Sequence, residues 1–74
     1  MRLKAEGVTA GVPDLFFAWP RLGYHGLWIE MKRKGGKVSK VQAEMMSCLE
    51  AAGYLTAVCY GTDEAKKTLK EYML

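Results

Sequence analysis

The sequence predicts a small α/β domain with a mixed β-sheet flanked by helices, in the element order β-β-α-β-α. Two apolar runs, GVPDLFFAW and LWIEMKRK, are separated by a short turn segment, and a helical pattern then precedes a third apolar run. With 74 residues, the chain is predicted to be one domain, residues 1–74. A chain of this length buries only about 60% of its unfolded surface, so its core is marginal and oligomerisation is one way to compensate.

Composition and charge are those of an ordinary globular protein. The chain is 50% hydrophobic and 26% charged, and it has no apolar run near the roughly 18 residues that a membrane span requires. We therefore expect an intracellular, cytoplasmic protein with no membrane partner. The net charge of +3 mildly favours a polyanionic partner. Cys48 and Cys59 lack metal-ligand spacing and are expected to be buried, reduced thiols.

The first two strands are predicted to form an antiparallel hairpin. They cover residues 12–19 and 26–33, and the connection between them contains Pro20 and Gly23, which favour a turn. Before the hairpin, residues 2–6 are expected to form one helical turn that ends at Gly7.

A helix is predicted to begin after Ser39 and to stop at Gly53. Ser39 and Gln42 have the spacing of a capping box, and glycine is the usual residue after a helix end. Apolar residues recur at intervals of three and four and predict a stripe that faces the sheet: Val41, Met45, Cys48, Leu49 and Ala52.

The third strand and the last helix follow directly. Residues 54–60 are a nearly continuous apolar run, which predicts a strand buried on both faces. Thr62 is the predicted N-cap of a helix that reaches Tyr72 or Met73, with Asp63 and Glu64 in its first turn.

Three charged residues of the hairpin are predicted to share one face of the sheet. Side chains alternate along a strand, so Glu30 and Lys32 point to the same side. Closing the hairpin with Phe17 opposite Leu27 places Asp14 opposite Glu30. The aliphatic residues then occupy one face, and the charged residues occupy the other.

This arrangement predicts a metal-dependent phosphodiesterase site. Two carboxylates on neighbouring strands repel each other unless a positive group lies between them. Oxygen ligands from carboxylates and water suit Mg²⁺ or Mn²⁺. At the edge of such a site, the Lys32 ammonium group can orient a water nucleophile or stabilise the transition state. A basic loop follows, and its cations are the candidate DNA-binding residues: Arg33, Lys34, Lys37 and Lys40.

Other interpretations stay open from the residues alone. Asp14 follows Pro13 and could cap a turn. Glu30 and Lys32 could form an ion pair on a solvated face, and the basic loop could be only solvated. Phe16 and Trp28 count against a solvated face, because a face that carries large aromatic residues is usually partly covered.

The strings GVPDL (residues 11–15) and IEMK (29–32), the Ser39–Gln42 pair and residues 49–54 together resemble the virus-type replication-repair nuclease (VRR-NUC) domain. This domain is a branch of the PD-(D/E)XK nuclease superfamily, and the resemblance covers about residues 7–60. It implies a restriction-endonuclease-like fold and Mg²⁺- or Mn²⁺-dependent cleavage of DNA in repair or recombination. By motif position it implies metal ligation by Asp14, Glu30 and the Met31 backbone carbonyl, a catalytic Lys32, and a Gln42 that contacts the site or the scissile phosphate.

The resemblance also implies a biological form. The chain looks like the small stand-alone domains of phages and prophages, which act as homodimers resembling Holliday-junction resolvases on branched or duplex DNA. Members of the family usually carry a further glutamate ligand on an N-terminal helix, and Glu6, the only upstream acid, does not fit that pattern. A DNA-binding module of the same fold without efficient turnover is therefore the alternative function. Gln42 has a second predicted role as the capping partner of Ser39, and the two roles are compatible.

Overall fold

A computed structural model of the protein describes residues 10–74. The elements are β1 (Leu15–Phe17), β2 (Leu27–Lys32), α1 (Lys40–Ala51), β3 (Leu55–Tyr60) and α2 (Thr62–Met73). The predicted α/β class and the element order β-β-α-β-α are therefore confirmed. The helical turn expected at residues 2–6, with Glu6, lies outside the described residues. From residue 10 onward, no helix has the length and apolar character that crossing a membrane would require.

The three strands form one mixed sheet in the order β1-β2-β3. β1 and β2 are antiparallel, with Leu15 opposite Ile29 and Phe17 opposite Leu27, which confirms the predicted register. β2 and β3 are parallel, as expected for two strands of one sheet joined by a crossover helix. At the hairpin tip, Leu22 and Gly23 have φ angles of 55° and 85°, the positive values typical of a tight hairpin turn.

β1 is shorter than the strand predicted for residues 12–19. Proline lacks a backbone N–H, so Pro13 cannot donate to the sheet at the start of this segment. At its other end, the Trp19 N–H donates to the Phe17 carbonyl at 2.9 Å and leaves the ladder. Only residues 15–17 therefore pair with β2.

The two faces of the sheet are covered by different helices. On one face, α2 packs over the hydrophobic core, whose buried members are Leu27, Ile29, Cys59 and Tyr72. On the other face lies α1, with Met45 and Leu49 as its buried residues. β2 is thus the central strand, with one helix on each side.

Several burial predictions for α1 and β3 are wrong. Cys48 is exposed although Cys59 is buried, and both thiols are free. Val41 and Ala52 are also exposed, and the buried residues of α1 are Met45 and Leu49. In β3 only Cys59 is buried, since β3 is an edge strand that the helices cover incompletely.

The start of α2 also differs from the prediction. Gly61, with φ of 97°, is its N-cap and Thr62 is already helical. The Glu64 carboxylate accepts the Tyr60 N–H at 2.9 Å, so a backbone donor before the helix is satisfied from inside the first turn. Asp63 and Glu64 occupy the first turn as predicted.

Candidate active site

The residues predicted to carry chemistry lie on the α1 side of the sheet. Strand alternation directs Glu30 and Lys32 to this side, and the observed hairpin register continues to place Asp14 opposite Glu30. Gln42 enters from the first turn of α1 and contacts both strand residues. The structure therefore brings Asp14, Glu30, Lys32 and Gln42 together.

Glu30 is a buried carboxylate with one oxygen left over. The residue is only 3% exposed. Oε2 accepts a hydrogen bond from Gln42 Nε2 at 3.0 Å and lies 3.6 Å from Lys32 Nζ. Oε1 is buried and has no hydrogen-bond partner among residues 10–74. The ion pair considered from the sequence is therefore present, but the solvated setting predicted for it is wrong, because Glu30 is buried.

Burial and the neighbouring Asp14 both raise the pKa of Glu30 above its ordinary value of 4.5. Desolvation is the larger cause, because the ionised form loses water that the protein replaces only in part. The negative charge of Asp14 adds to the effect, and the Lys32 ammonium group partly offsets it. The neighbouring groups therefore offset the negative charge of Glu30 only in part.

Gln42 fixes the position of the Lys32 ammonium group relative to the Glu30 carboxylate. Its Oε1 accepts hydrogen bonds from Lys32 Nζ at 2.8 Å and from the Ser39 backbone N–H at 2.9 Å. The backbone N–H of Gln42 donates to Ser39 Oγ at 3.1 Å, which completes the predicted capping box. The side-chain amide of Gln42 also donates from Nε2 to Glu30, so the capping role and the site role coexist in one side chain.

Asp14 is held by the backbone of the next strand. The residue is exposed, and its Oδ2 accepts the Met31 N–H at 2.8 Å. This bond spans the two strands, so the carboxylate does not cap a local turn there. Its other oxygen, Oδ1, is not used by this bond.

Gly11 has a positioning role that sequence reasoning missed. It has φ of 87°, and a Cβ added there would lie 2.7 Å from the carbonyl oxygen of Val41. The segment leading to Asp14 therefore passes directly against the first turn of α1, where only glycine fits. The GVPDL string contained this signal, but without the position of α1 it could not be interpreted.

The donor set suits a hard divalent cation. Two carboxylates face each other across strands, and Glu30 Oε1 is a buried oxygen without a partner in the described range. Residues 10–74 contain no cluster of three or more His, Cys, Asp or Glu side chains. Mg²⁺ is often held by only one or two carboxylates, with water and substrate phosphate as the other ligands. The residues present are therefore sufficient for that type of site.

The basic loop borders this site. Its cations are all exposed: Arg33, Lys34, Lys37 and Lys40. The loop connects Lys32 at the end of β2 with Ser39 at the start of α1, so both of its ends are anchored next to Gln42. A turn in which the Gly36 N–H donates to the Arg33 carbonyl at 2.8 Å shapes it.

Comparisons with known proteins concern the family and the fold of the chain. The sequence profile of the VRR-NUC domain matches residues 1–63. A solved structure described as a "VRR_NUC domain protein" is similar to this chain, with 35% sequence identity and a TM-score of 0.86. The similarity covers 90% of this chain and 56% of the other, so this chain spans little more than half of that protein's length. No curated protein matches the sequence.

The profile match covers most of the 74 residues, and the structural match extends over nearly the whole fold. The chain belongs to the VRR-NUC domain family, a family of nuclease domains.

Proposed function

We propose that the protein is a metal-dependent DNA endonuclease that hydrolyses phosphodiester bonds with Mg²⁺ or Mn²⁺. The observation that carries the proposal is the buried Glu30 carboxylate beside Asp14, with Lys32 held against both Glu30 and Gln42. Membership of a nuclease family supports the same reaction class.

Asp14, the Oε1 of Glu30 and the Met31 backbone carbonyl are the groups that would hold the cation. When bound, a divalent cation neutralises charge on the scissile phosphate and lowers the pKa of a water molecule. The donation from the Met31 N–H to Asp14 fixes one carboxylate oxygen and leaves Oδ1 for ligation. Glu30 contributes a charge that the surrounding protein only partly offsets.

Lys32 would act on the phosphate and the attacking water, and Gln42 would hold it in position. The Lys32 ammonium group is 2.8 Å from Gln42 Oε1, which holds it near the carboxylates while leaving other donors free. A preorganised ammonium group stabilises the negative charge that develops on a phosphoryl group without reorganising during the reaction. Gln42 is a positioning residue for Lys32 and Glu30 in this scheme.

DNA, branched or duplex, is the proposed substrate. The exposed basic loop gives phosphates a cationic surface beside the carboxylates, and its glycines Gly35 and Gly36 favour movement over a bound backbone. Structure-selective cleavage as a homodimer, in repair or recombination, is part of the proposal. Sedimentation at micromolar concentration measures the oligomeric state. The phage or prophage origin and the cytoplasmic location stay predictions from the sequence.

A cleavage panel tests the proposed activity. The full chain is incubated with four-way junction, flap and linear duplex DNA in Mg²⁺, in Mn²⁺ and in chelator. We expect cleavage in at least one metal, its loss in chelator, and a reduction of about 10²-fold or more in Lys32→Ala. Lys67→Ala on α2 is the matched control and should cleave like the wild type.

A DNA-binding module without efficient turnover is the second candidate. It is favoured by one observation: in the range 10–74 no third acidic, histidine or cysteine side chain joins Asp14 and Glu30. DNA binding without cleavage in either metal would replace the endonuclease with this module. Asp14→Asn should abolish cleavage and retain binding if the endonuclease proposal is correct.

A further inference from the structure

Four aromatic side chains cluster on the α1 side of the sheet. Phe16 stacks on Trp28 with ring centroids 4.3 Å apart and an interplanar angle of 22°. Tyr54 packs edge-on against both rings, with centroids 5.8 Å from Phe16 and 6.4 Å from Trp28, and His25 packs edge-on against Tyr54. Despite these contacts, Phe16 remains 42% exposed.

The cluster adjoins the carboxylate pair. Phe16 follows Asp14 by two residues, Trp28 precedes Glu30 by two, and Phe16 pairs with Trp28 across the strands. Neighbours on one face of a strand are about 6.6 Å apart, so the aromatic pair is the next pair along from the two acids. The exposed ring of Phe16 therefore lies one step away from the proposed position of the scissile phosphate.

The ring is held in a fixed position. A Cβ at Gly26 would lie 2.8 Å from Phe16 Cε1, so the ring occupies space that any other residue at that position would fill. Trp28 packs against one face of the Phe16 ring. The Nε1 of Trp28 is buried without a hydrogen-bond partner in residues 10–74. Buried donors left unpaired are rare, and the energetic cost makes this tryptophan a poor choice for packing alone.

We propose that Phe16, supported by Trp28, binds an unpaired nucleobase next to the phosphate that is cut at Asp14 and Glu30. The proposal rests on the proposed nuclease function. Exposed aromatic rings bind bases of single strands by stacking, with little dependence on base identity, because every base has a π-face. Paired bases are stacked within their own duplex, so this site selects DNA with an unpaired nucleotide at the cut.

A fluorescent base analogue tests the site without requiring cleavage. Flap DNA carries 2-aminopurine at the unpaired nucleotide beside the branch and is titrated with protein in chelator. Wild type should quench the fluorescence, and Phe16→Leu, which keeps an apolar side chain, should lose the quenching and bind about tenfold more weakly. Leu15→Ala is the matched control: Leu15 is equally exposed at 42% but lies on the α2 side of the sheet, and it should quench like wild type.

An abasic substitution gives a second measurement. Flap DNA that lacks the base at the same position should bind wild type about tenfold more weakly than intact flap DNA, and Phe16→Leu should bind the two equally. Equal binding of both DNAs by wild type, or quenching that persists in Phe16→Leu, would overturn the base site. If Phe16→Leu does not fold, as judged by circular dichroism, the comparison in wild type decides alone.

The outcomes separate this site from the nuclease activity. Quenching and a preference for the intact base, without cleavage in either metal, keep the base site and refute the endonuclease. Cleavage that is equal on intact and abasic flaps, without quenching, keeps the endonuclease and refutes the base site.

Discussion

Glu30 is a buried carboxyl group whose surroundings disfavour ionisation. Among residues 10–74, Glu30 is the buried charged residue, at 3% exposure. Its Oε1 has no hydrogen-bond partner in that range. Burial and Asp14 raise its pKa, so the ionised form destabilises the fold. A protein that used this residue only for stability would be expected to carry glutamine or an apolar side chain instead. The proposed cation would account for this unfavourable charge.

This cost makes the stability of the metal-free protein depend on pH. A carboxyl group with a raised pKa in the folded state contributes stability that is fully present below the unfolded value, near 4.5. The contribution is lost as pH rises through the folded pKa. We therefore expect Glu30→Gln to melt at a higher temperature than wild type in chelator at pH 8, and the difference should shrink toward pH 4. For a domain of this size each 1 kcal/mol corresponds to about 4–8 °C in Tm.

Added Mg²⁺ or Mn²⁺ should reverse the order of the two melting temperatures, so that wild type melts above Glu30→Gln. A cation in the proposed site would bind the ionised carboxylates of wild type and raise its Tm, while Glu30→Gln, which would lack one proposed ligand, should respond weakly. Thermal melts followed by circular dichroism measure both effects. A Glu30→Gln variant that melts below wild type in chelator at pH 8 would contradict a destabilising charge at this position.

At the residue scale, strand geometry was sufficient to predict three of the four site residues' relative positions. Alternation and hairpin register fix which faces Asp14, Glu30 and Lys32 occupy, and both can be read from the local sequence. The bonds of Gln42 could not be predicted in this way, because they depend on the distance between α1 and β2. The Phe16–Trp28 stack likewise depends on tertiary packing, although strand alternation is sufficient to place both residues on the face of the acids.

The caps of the two helices show why the limits of α1 can be predicted from the sequence more accurately than the start of α2. α1 has a complete capping box, and it ends in a Schellman motif in which the Tyr54 N–H donates to the Leu49 carbonyl at 3.0 Å. Both signals are local in the sequence. α2 instead begins at Gly61, with Glu64 reaching back to Tyr60, and a nearby threonine gave a misleading cap signal.

This difference predicts unequal effects of removing the two hydroxyl groups. Ser39→Ala should lower the free energy of unfolding by about 1 kcal/mol, because it removes the acceptor of the Gln42 N–H. Thr62→Ala removes no capping bond and should change stability by less than about 0.5 kcal/mol. Urea unfolding of both variants measures the comparison. Equal losses in the two variants would mean that Thr62 caps α2 after all.

At the scale of the whole molecule, the sheet separates stability from chemistry. The α2 side holds the buried core, and the α1 side holds the acids, Lys32 and the exposed aromatic ring. The lysines follow the same division. The basic loop borders the site, whereas Lys66, Lys67 and Lys70 lie on α2. Binding of DNA on the α1 side should therefore use only the first group.

The salt dependence of DNA binding measures which lysines contact phosphate. The logarithm of the binding constant falls with the logarithm of salt concentration by about 0.9 for each phosphate neutralised on duplex DNA. Removing two loop contacts with Lys34→Ala and Lys37→Ala together should flatten this slope by about 1.8. The matched double variant Lys66→Ala and Lys67→Ala removes the same charge from α2 and should leave the slope unchanged. If both double variants flatten the slope equally, net charge determines binding and the DNA is not directed to the α1 side.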